Sequence, residues 1–254
     1  MKLKIVLSLL SASSLLFLSP AANAQASTKI ISHQQQYWLR VYEKIRLGNG
    51  WTFHVEIEDR RYASPDRQYQ WLLPALHLHK DLGNGWEAAI GFSYYSTSLP
   101  QDGAKAITIV QPELRPFQEF DYKQSIGKLL ISHRYRLEER YLRKTVGTGL
   151  APGYNFNFRV RYQLQLDYPV ITGKTGNSSL HIRVYDEPML NFGSSIVRNT
   201  FDQNRLYGAL NYRVNKSFQL EAGYLYYFQE KSDGDHYVSR DILRVTLYHS
   251  LNFR

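Results

Sequence analysis

The chain has no cysteine, only two methionines, and no long apolar run beyond its first 24 residues. The missing cysteine removes disulfides and thiolate metal ligands, so any cohesion must come from packing, hydrogen bonds and ion pairs. The missing apolar run excludes an α-helical membrane protein, since a spanning helix needs about 20 consecutive apolar residues. Acidic residues are short as well: 31 Lys and Arg stand against 22 Asp and Glu, a formal net charge of +9 over 254 residues.

A basic balance suits nucleic acid, anionic lipid or an anionic solute. Nucleic acid is the poorest of these, because the arginines fall singly on alternate positions and the chain begins with an export signal. Lys2 and Lys4 precede an apolar stretch from Ile5 to Leu18, and small residues then lead to Ala22-Asn23-Ala24. This is the pattern of a secretory signal with an A-x-A-like cleavage site, and maturation is expected at Gln25. Residue 25 is not cysteine, which argues against a lipoprotein. The expected organisation is therefore a signal peptide at residues 1–24 and a single β-domain at residues 25–254.

The chain is rich in alternation. From Asn155 to Tyr168, Phe156, Phe158, Val160, Tyr162, Leu164, Leu166 and Tyr168 occupy one parity, and Asn157, Arg159, Arg161, Gln163, Gln165 and Asp167 the other. Strict period two marks a strand with one apolar and one charged face. The run is much longer than the usual strand of about 5–6 residues; at about 45° of tilt it crosses an apolar band about 25 Å tall. Mean hydropathy of -0.42 is no objection, because a membrane barrel shows lipid only every second residue.

Similar runs occupy Gln36–Leu47, Trp51–Tyr62, Tyr69–Leu82, Trp86–Ser98, Thr108–Tyr122, Lys128–Tyr141, Asn155–Tyr168, Leu180–Phe192, Phe201–Val214, Phe218–Gln229 and Tyr237–Phe253. Bacterial single-chain barrels have even strand numbers. Twelve strands are therefore expected, with a short additional one around Lys29 to His33, and ten are the alternative. The fold class is an all-β, single antiparallel transmembrane barrel. Leu-Gly-Asn-Gly-Trp occurs twice, at Leu47–Trp51 and Leu82–Trp86, each between two runs, and reads as a tight hairpin. No helix-forming segment follows either copy, so a phosphate-cradling loop is not indicated. Trp51 and Trp86 fall where an aromatic girdle belongs.

Short links at Gly48–Gly50, Gly83–Gly85, Lys123–Gly127 and Asn215–Ser217 mostly alternate with longer ones at Ala63–Gln68, Leu99–Ile107, Leu142–Tyr154 and Gly193–Thr200. That alternation matches short periplasmic turns and longer extracellular loops, with Ile171–Ser178 as the exception. Pro74, Pro112, Pro116 and Pro188 lie within runs and predict bulges or pairing gaps, since proline cannot donate to a ladder.

In the second half of the chain the polar parity carries Arg134, Arg136, Glu138, Arg159, Arg161, Arg183, Glu187, Arg205, Glu221 and Arg244. These ten are the candidate lumen-lining residues, expected to be cross-linked by bidentate ion pairs that narrow or close the channel. Ser132 and His133 are neighbours on one strand and so point to opposite faces, which rules out a nucleophile–base pair. His77 and His79, two apart, share a face, but with only His54 and distant carboxylates as helpers they read as polar lumen lining. His181, Tyr185 and Glu187 share an inward face and would imitate an acyl-transfer site with a serine from another strand, but no local motif places that serine. No catalytic residue, metal ligand or cofactor is assigned.

From about Gln111 to the C-terminus the chain resembles DUF2490, a family of uncharacterised bacterial outer-membrane barrels. The resemblance is carried by Pro112-Glu113-Leu114-Arg115-Pro116-Phe117-Gln118, by Ser132-His133-Arg134-Tyr135-Arg136-Leu137-Glu138, and by Tyr185-Asp186-Glu187 with Asn191. Phe201-Asp202-Gln203-Asn204-Arg205-Leu206-Tyr207 and Glu221-Ala222-Gly223-Tyr224 complete it. It implies an outer-membrane location, a single barrel and no assigned activity. Such barrels end on an aromatic residue read by the insertion machinery; here Arg254 follows Phe253 and displaces that signal by one residue.

The expectation is a non-enzymatic outer-membrane barrel, structural or narrow and pore-like, with a charged Arg/Glu/Tyr lumen. Its partners would be outer-membrane lipid, lipopolysaccharide and the insertion machinery, with no nucleic acid. The alternatives are an outer-membrane enzyme acting on lipid or lipopolysaccharide, and a secreted soluble β-barrel binding an apolar ligand.

Overall fold

The computed structural model describes residues 29–173 and 178–253, so the expected signal peptide and Arg254 lie outside the described residues. Regular structure within them is entirely strand: β1 (Ile30–Gly48), β2 (Trp51–Ala63), β3 (Asp66–Gly83), β4 (Trp86–Leu99), β5 (Ile109–Ile126), β6 (Leu129–Val146), β7 (Gly149–Thr172), β8 (Ser179–Phe192), β9 (Phe201–Arg213), β10 (Phe218–Glu230) and β11 (His236–Asn252). Each strand pairs with the next, and β1 pairs with β11 to close a barrel.

The wall thus has eleven strands, where twelve or ten were expected. The even count assumes antiparallel closure, whereas an odd count makes the first and last strands run the same way. Here β1 and β11 pair in parallel, from Ile30↔His236 to Arg46↔Asn252, with no break in register. A parallel ladder satisfies edge N–H and C=O groups as an antiparallel one does. The residues expected to form an additional strand are the beginning of β1. Parallel closure also puts Ile30 and Asn252 at opposite rims.

At the turn rim, β1–β2 and β3–β4 are joined by Asn49-Gly50 and Asn84-Gly85. Asn49 and Asn84 both have φ of 51°, and Gly48 and Gly83 before them have φ of 90° and 83°. Two positive-φ loop residues make the hairpin turn that matches strand twist. The preceding glycine takes up the register shift seen between Arg46 and Gly48, and between Asp81 and Gly83. The repeated pentapeptide is thus a turn with its bulge.

The opposite rim carries the nine-residue link 100–108, the eight-residue link 193–200 and the five-residue link 231–235. Two links expected to be long are not. Ala63–Gln68 contracts to the two-residue turn Ser64-Pro65, and most of Leu142–Tyr154 continues the β6–β7 hairpin to a turn at Gly147-Thr148. Thr145, Val146 and Leu150 favour extended backbone, so the ladder runs on past the wall. Three of the four prolines interrupt pairing as expected: register shifts between Leu72 and Ala75 around Pro74, and Pro116 and Pro188 lack partners on β6 and β7; Pro112 instead pairs with Ser96 in an unbroken ladder.

All eleven strands turn apolar side chains outward, among them Leu39, Ile57, Leu73, Ile90, Phe120, Tyr135, Val160, Ile182, Leu206, Leu220 and Leu243. Ile90 is 63% exposed and Leu243 58%, while Arg159 and Arg161 are 3% and 7% exposed on the inner face. Polarity is therefore inverted relative to a soluble barrel. One inner position shows how tightly the interior is filled: a Cβ on Gly91 would lie 2.1 Å from Phe117 Cζ and 2.5 Å from the Leu76 carbonyl oxygen. Gly91→Ala is expected to destabilise the barrel by about 1–3 kcal/mol, measured as a lowered urea midpoint by tryptophan fluorescence.

Candidate functional site

The inner face is a network of ion pairs laid across the strands. Glu138 on β6 accepts hydrogen bonds from Arg159 Nε at 2.8 Å and Arg161 Nη1 at 2.6 Å, both on β7, and has Arg115 Nη1 of β5 at 3.8 Å. Glu187 on β8 accepts from Arg134 Nη2 at 2.5 Å and Arg161 Nη2 at 2.7 Å, with Arg205 Nη1 at 3.9 Å. Glu221 on β10 accepts from Arg183 Nη1 at 2.6 Å, the Tyr207 hydroxyl at 3.0 Å and Asn211 Nδ2 at 3.1 Å, with Arg244 Nη2 at 3.8 Å. Each of the ten candidate lumen-lining residues takes part in one of these three clusters. Arg136 donates also to Glu119 on β5.

The first half of the chain supplies matching pairs that the sequence reading did not single out. Arg60 holds Glu58 at 2.6 Å, and Arg115 and Arg140 converge on Glu113 at 2.5 and 2.7 Å. Arginine planes also lie over rings: Arg115 over Tyr95 at 3.8 Å, Arg60 over Trp38 at 4.1 Å and Arg244 over Tyr207 at 4.0 Å. The proline-interrupted runs around Pro74, Pro112 and Pro116 hide this part of the pattern; the Glu-x-Arg spacings Glu58–Arg60 and Glu113–Arg115 were the available signal.

Inside the network a central cavity of about 270 Å³ is lined by eight arginines and five glutamates, leaving three positive charges in excess. A cavity of about 160 Å³ toward the turn rim shares Tyr42, Glu119, Arg134, Gln163 and Gln165 with it. A larger one of about 930 Å³, at the loop rim, shares none of its lining. Arg240 stands between them, wholly buried, stacked on Tyr69 at 5.1 Å and Tyr227 at 4.6 Å, its Nε donating to Gln34 at 2.8 Å. At the loop rim Lys231 Nζ donates to Gln101 Oε1 at 2.7 Å, and burial, with Arg240 nearby, pushes that ammonium down to about 7.

The inner space is thus cationic and divided: the turn-side and central cavities have five lining residues in common, and the Arg240 layer constricts the space between the centre and the loop rim. Ser132 lines the turn-side cavity, whereas His133 pairs with the Tyr162 hydroxyl at 2.9 Å, so the two do not meet. His181 does meet a serine, but one on its own strand: Ser179 Oγ lies 2.9 Å from His181 Nε2, and His181 Nδ1 donates to Asp167 Oδ1 at 2.6 Å. The expectation of a serine from another strand is corrected by strand parity, which puts residues 179 and 181 on one face. Tyr185 instead accepts from Arg244 Nη1 at 3.0 Å.

Removing one partner of a buried ion pair costs about 3–5 kcal/mol because the other charge stays desolvated. Glu138→Leu, which removes the carboxylate that Arg159 and Arg161 share and leaves Arg159 only Asp202 and Arg161 only Glu187, is expected at the lower end of that range. Glu56→Gln, which loses only the 3.5 Å contact to Arg40, is expected to cost less, both read from equilibrium unfolding in urea.

No curated protein matches the sequence. Among solved structures the chain is similar to the NanC porin, at 12% identity over 85% of this chain and 97% of that one, with a TM-score of 0.49. It is also similar to the β-domain of the Bordetella autotransporter BrkA, at 13% identity over 79% and 81%, with a TM-score of 0.39. A family model matches residues 35–238, nearly the whole wall with its inner network, and the chain accordingly belongs to DUF2490, a family of proteins of unknown function.

Proposed function

We propose that the protein is an outer-membrane β-barrel, exported on residues 1–24 and matured at Gln25, whose lumen is a narrow anion-preferring passage constricted by its own Arg/Glu/Tyr network. The inversion of polarity carries this reading. An apolar exterior running around all eleven strands far exceeds the few hundred Å² that a soluble monomer exposes. Against acyl chains the same surface matches its solvent, and closure leaves no unpaired edge in lipid. A soluble barrel for an apolar ligand would need the opposite lining. In this reading lipid and lipopolysaccharide cover the outside, and the insertion machinery acts during assembly.

Eleven strands fall between barrels just filled by side chains and those with an aqueous channel, and the three excess positive charges at the centre favour anions. The mature chain is expected to fractionate with the outer membrane, to need detergent for release, and to give small anion-selective steps in planar bilayers. Release without detergent overturns the location, and cation-selective steps overturn the lumen reading. Silence at all voltages leaves a plugged structural barrel. Because the chain lacks cysteine, topology is testable directly: single cysteines replacing Ser232 and Lys216 should react with an impermeant maleimide from opposite sides of sealed vesicles.

A second reading, an enzyme acting on lipid or lipopolysaccharide esters, rests on Ser179, His181 and Asp167. In it Ser179 Oγ attacks the ester carbonyl, His181 Nε2 takes its proton and returns it to the leaving alcohol, and Asp167 fixes the ring tautomer. Asp167 is also held by Arg183 Nε at 3.0 Å, which keeps the carboxylate in place. A fluorophosphonate probe should label the folded barrel and fail on Ser179→Ala; absence of labelling on the unsubstituted protein removes this reading.

A further inference from the structure

On the inner wall near the turn rim, three histidines converge that strand spacing alone does not unite. His77 and His79 share the inner face of β3, and the β2–β3 register sets His54 directly opposite His77. The ring centroids of His54 and His79 are 4.1 Å apart and those of His77 and His79 5.7 Å. Each imidazole offers a nitrogen within 4.8 Å of the other two, and all three residues are buried, at 5%, 3% and 4% exposure.

Their hydrogen bonding is incomplete in a particular way. His54 Nε2, His79 Nε2 and both ring nitrogens of His77 are buried without any partner. A buried unsatisfied polar atom costs about 1–3 kcal/mol; of these four nitrogens one, on His77, is an N–H, and the three rings together offer one lone pair each to an acceptor of lone pairs. The outer nitrogens are engaged as a ligand set requires. His79 Nδ1 donates to Glu87 Oε1 at 2.7 Å, and His54 Nδ1 pairs with the Tyr42 hydroxyl at 2.6 Å; in the Nδ1–H tautomer that a metal on Nε2 requires, the hydroxyl is the acceptor. Both bonds leave the Nε2 lone pair turned inward, the arrangement by which outer carboxylates and hydroxyls orient metal-bound histidines.

Carboxylates stand on the adjoining side. Ala89 and Gly91 on β4 are small, so the side chains of β5 reach past them toward β3. Glu119 and Asp121 thereby offer oxygens within 4.8 Å of His79, and Asp121 Oδ2 is buried without a partner. Phe117, edge-on to His77 at 4.8 Å, closes the cluster toward the barrel centre. Negative charge and an unpartnered oxygen are what a dication bound to three neutral imidazoles needs beside it.

We propose that His54, His77 and His79 ligate one divalent transition-metal ion on the inner wall, with the Asp121 carboxylate adjacent to its fourth coordination position. Three imidazoles with a carboxylate or water suit Zn²⁺ and its neighbours, not Mg²⁺ or Ca²⁺, which prefer oxygen ligands. The turn-side cavity, lined by His54, His79 and Asp121, is the route of entry.

The test titrates Zn²⁺ into the purified, folded barrel in detergent by calorimetry. One ion per chain is expected, competed by Co²⁺ with the intense visible bands of a tetrahedral site. His79→Ala and His54→Gln should abolish binding, Glu87→Gln should weaken it about 10- to 100-fold, and His249→Gln should leave it unchanged. Folding of each variant is read from heat-modifiable migration in SDS gels. No Zn²⁺ uptake by the unsubstituted barrel, or one ion still bound by a folded His77→Ala/His79→Ala double variant, overturns the proposal. The Co²⁺ spectrum of the unsubstituted protein decides the matter where a variant does not fold: octahedral, weakly absorbing Co²⁺ rejects the site.

Discussion

Everything in this molecule depends on the parallel ladder between β1 and β11. Without it the sheet has two bare edges, and neither an apolar exterior nor an enclosed polar interior is defined. With it, β1 and β11 lie side by side over seventeen consecutive register positions. The same ladder fixes the odd strand count and the opposite placement of Ile30 and Asn252. It also brings Arg40 of β1 against Tyr248 of β11, where a 2.8 Å hydrogen bond extends the side-chain network across the seam.

Closure at this size creates the second constraint. An eleven-stranded wall encloses more space than small side chains fill, and arginine and glutamate fill it with long chains whose charges lie out of bulk water. Such charges are tolerable only when paired with good geometry. The pairs accordingly run between strands: Glu138 ties β6 to β7, Glu187 ties β8 to both β6 and β7, and Glu221 ties β10 to β8. The network is thus a set of cross-braces and, at the same time, the obstruction in the lumen.

The histidine corner differs in kind. Arginine and glutamate complete one another elsewhere on the inner face, but His54, His77 and His79 do not, because their facing ring nitrogens lack a shared partner. The small residues Ala89 and Gly91 make room for that concentration of donor atoms, and the turn-side cavity leads to it. Structure and chemistry of the two regions can therefore be separated experimentally: one responds to loss of ion pairs, the other to metal.

Strand existence, strand faces and the hairpin glycines were legible in the sequence because each is local. Period-two alternation from Asn155 to Tyr168 needs no partner to be read, and positive φ at Asn49 and Asn84 follows from the pentapeptide itself. Strand number was not legible, since Ile30–His33 carry the same pattern whether they begin β1 or stand alone, and only the partner β11 decides. The extent of the β6–β7 hairpin was hidden likewise, because Gly147, Gly149, Pro152 and Gly153 set turn residues beside the strand-favouring Thr145 and Val146. Ser179 beside His181 follows from strand parity once β8 begins at Ser179 and not at Leu180, whereas His54 opposite His77 depends on register between strands, a property of the closed sheet. The amino-acid sequence by itself determined which residues face in and which face out; the tertiary structure alone decided which inward residues meet, because register across hydrogen-bonded strands is set by the ladder and not by spacing along one chain.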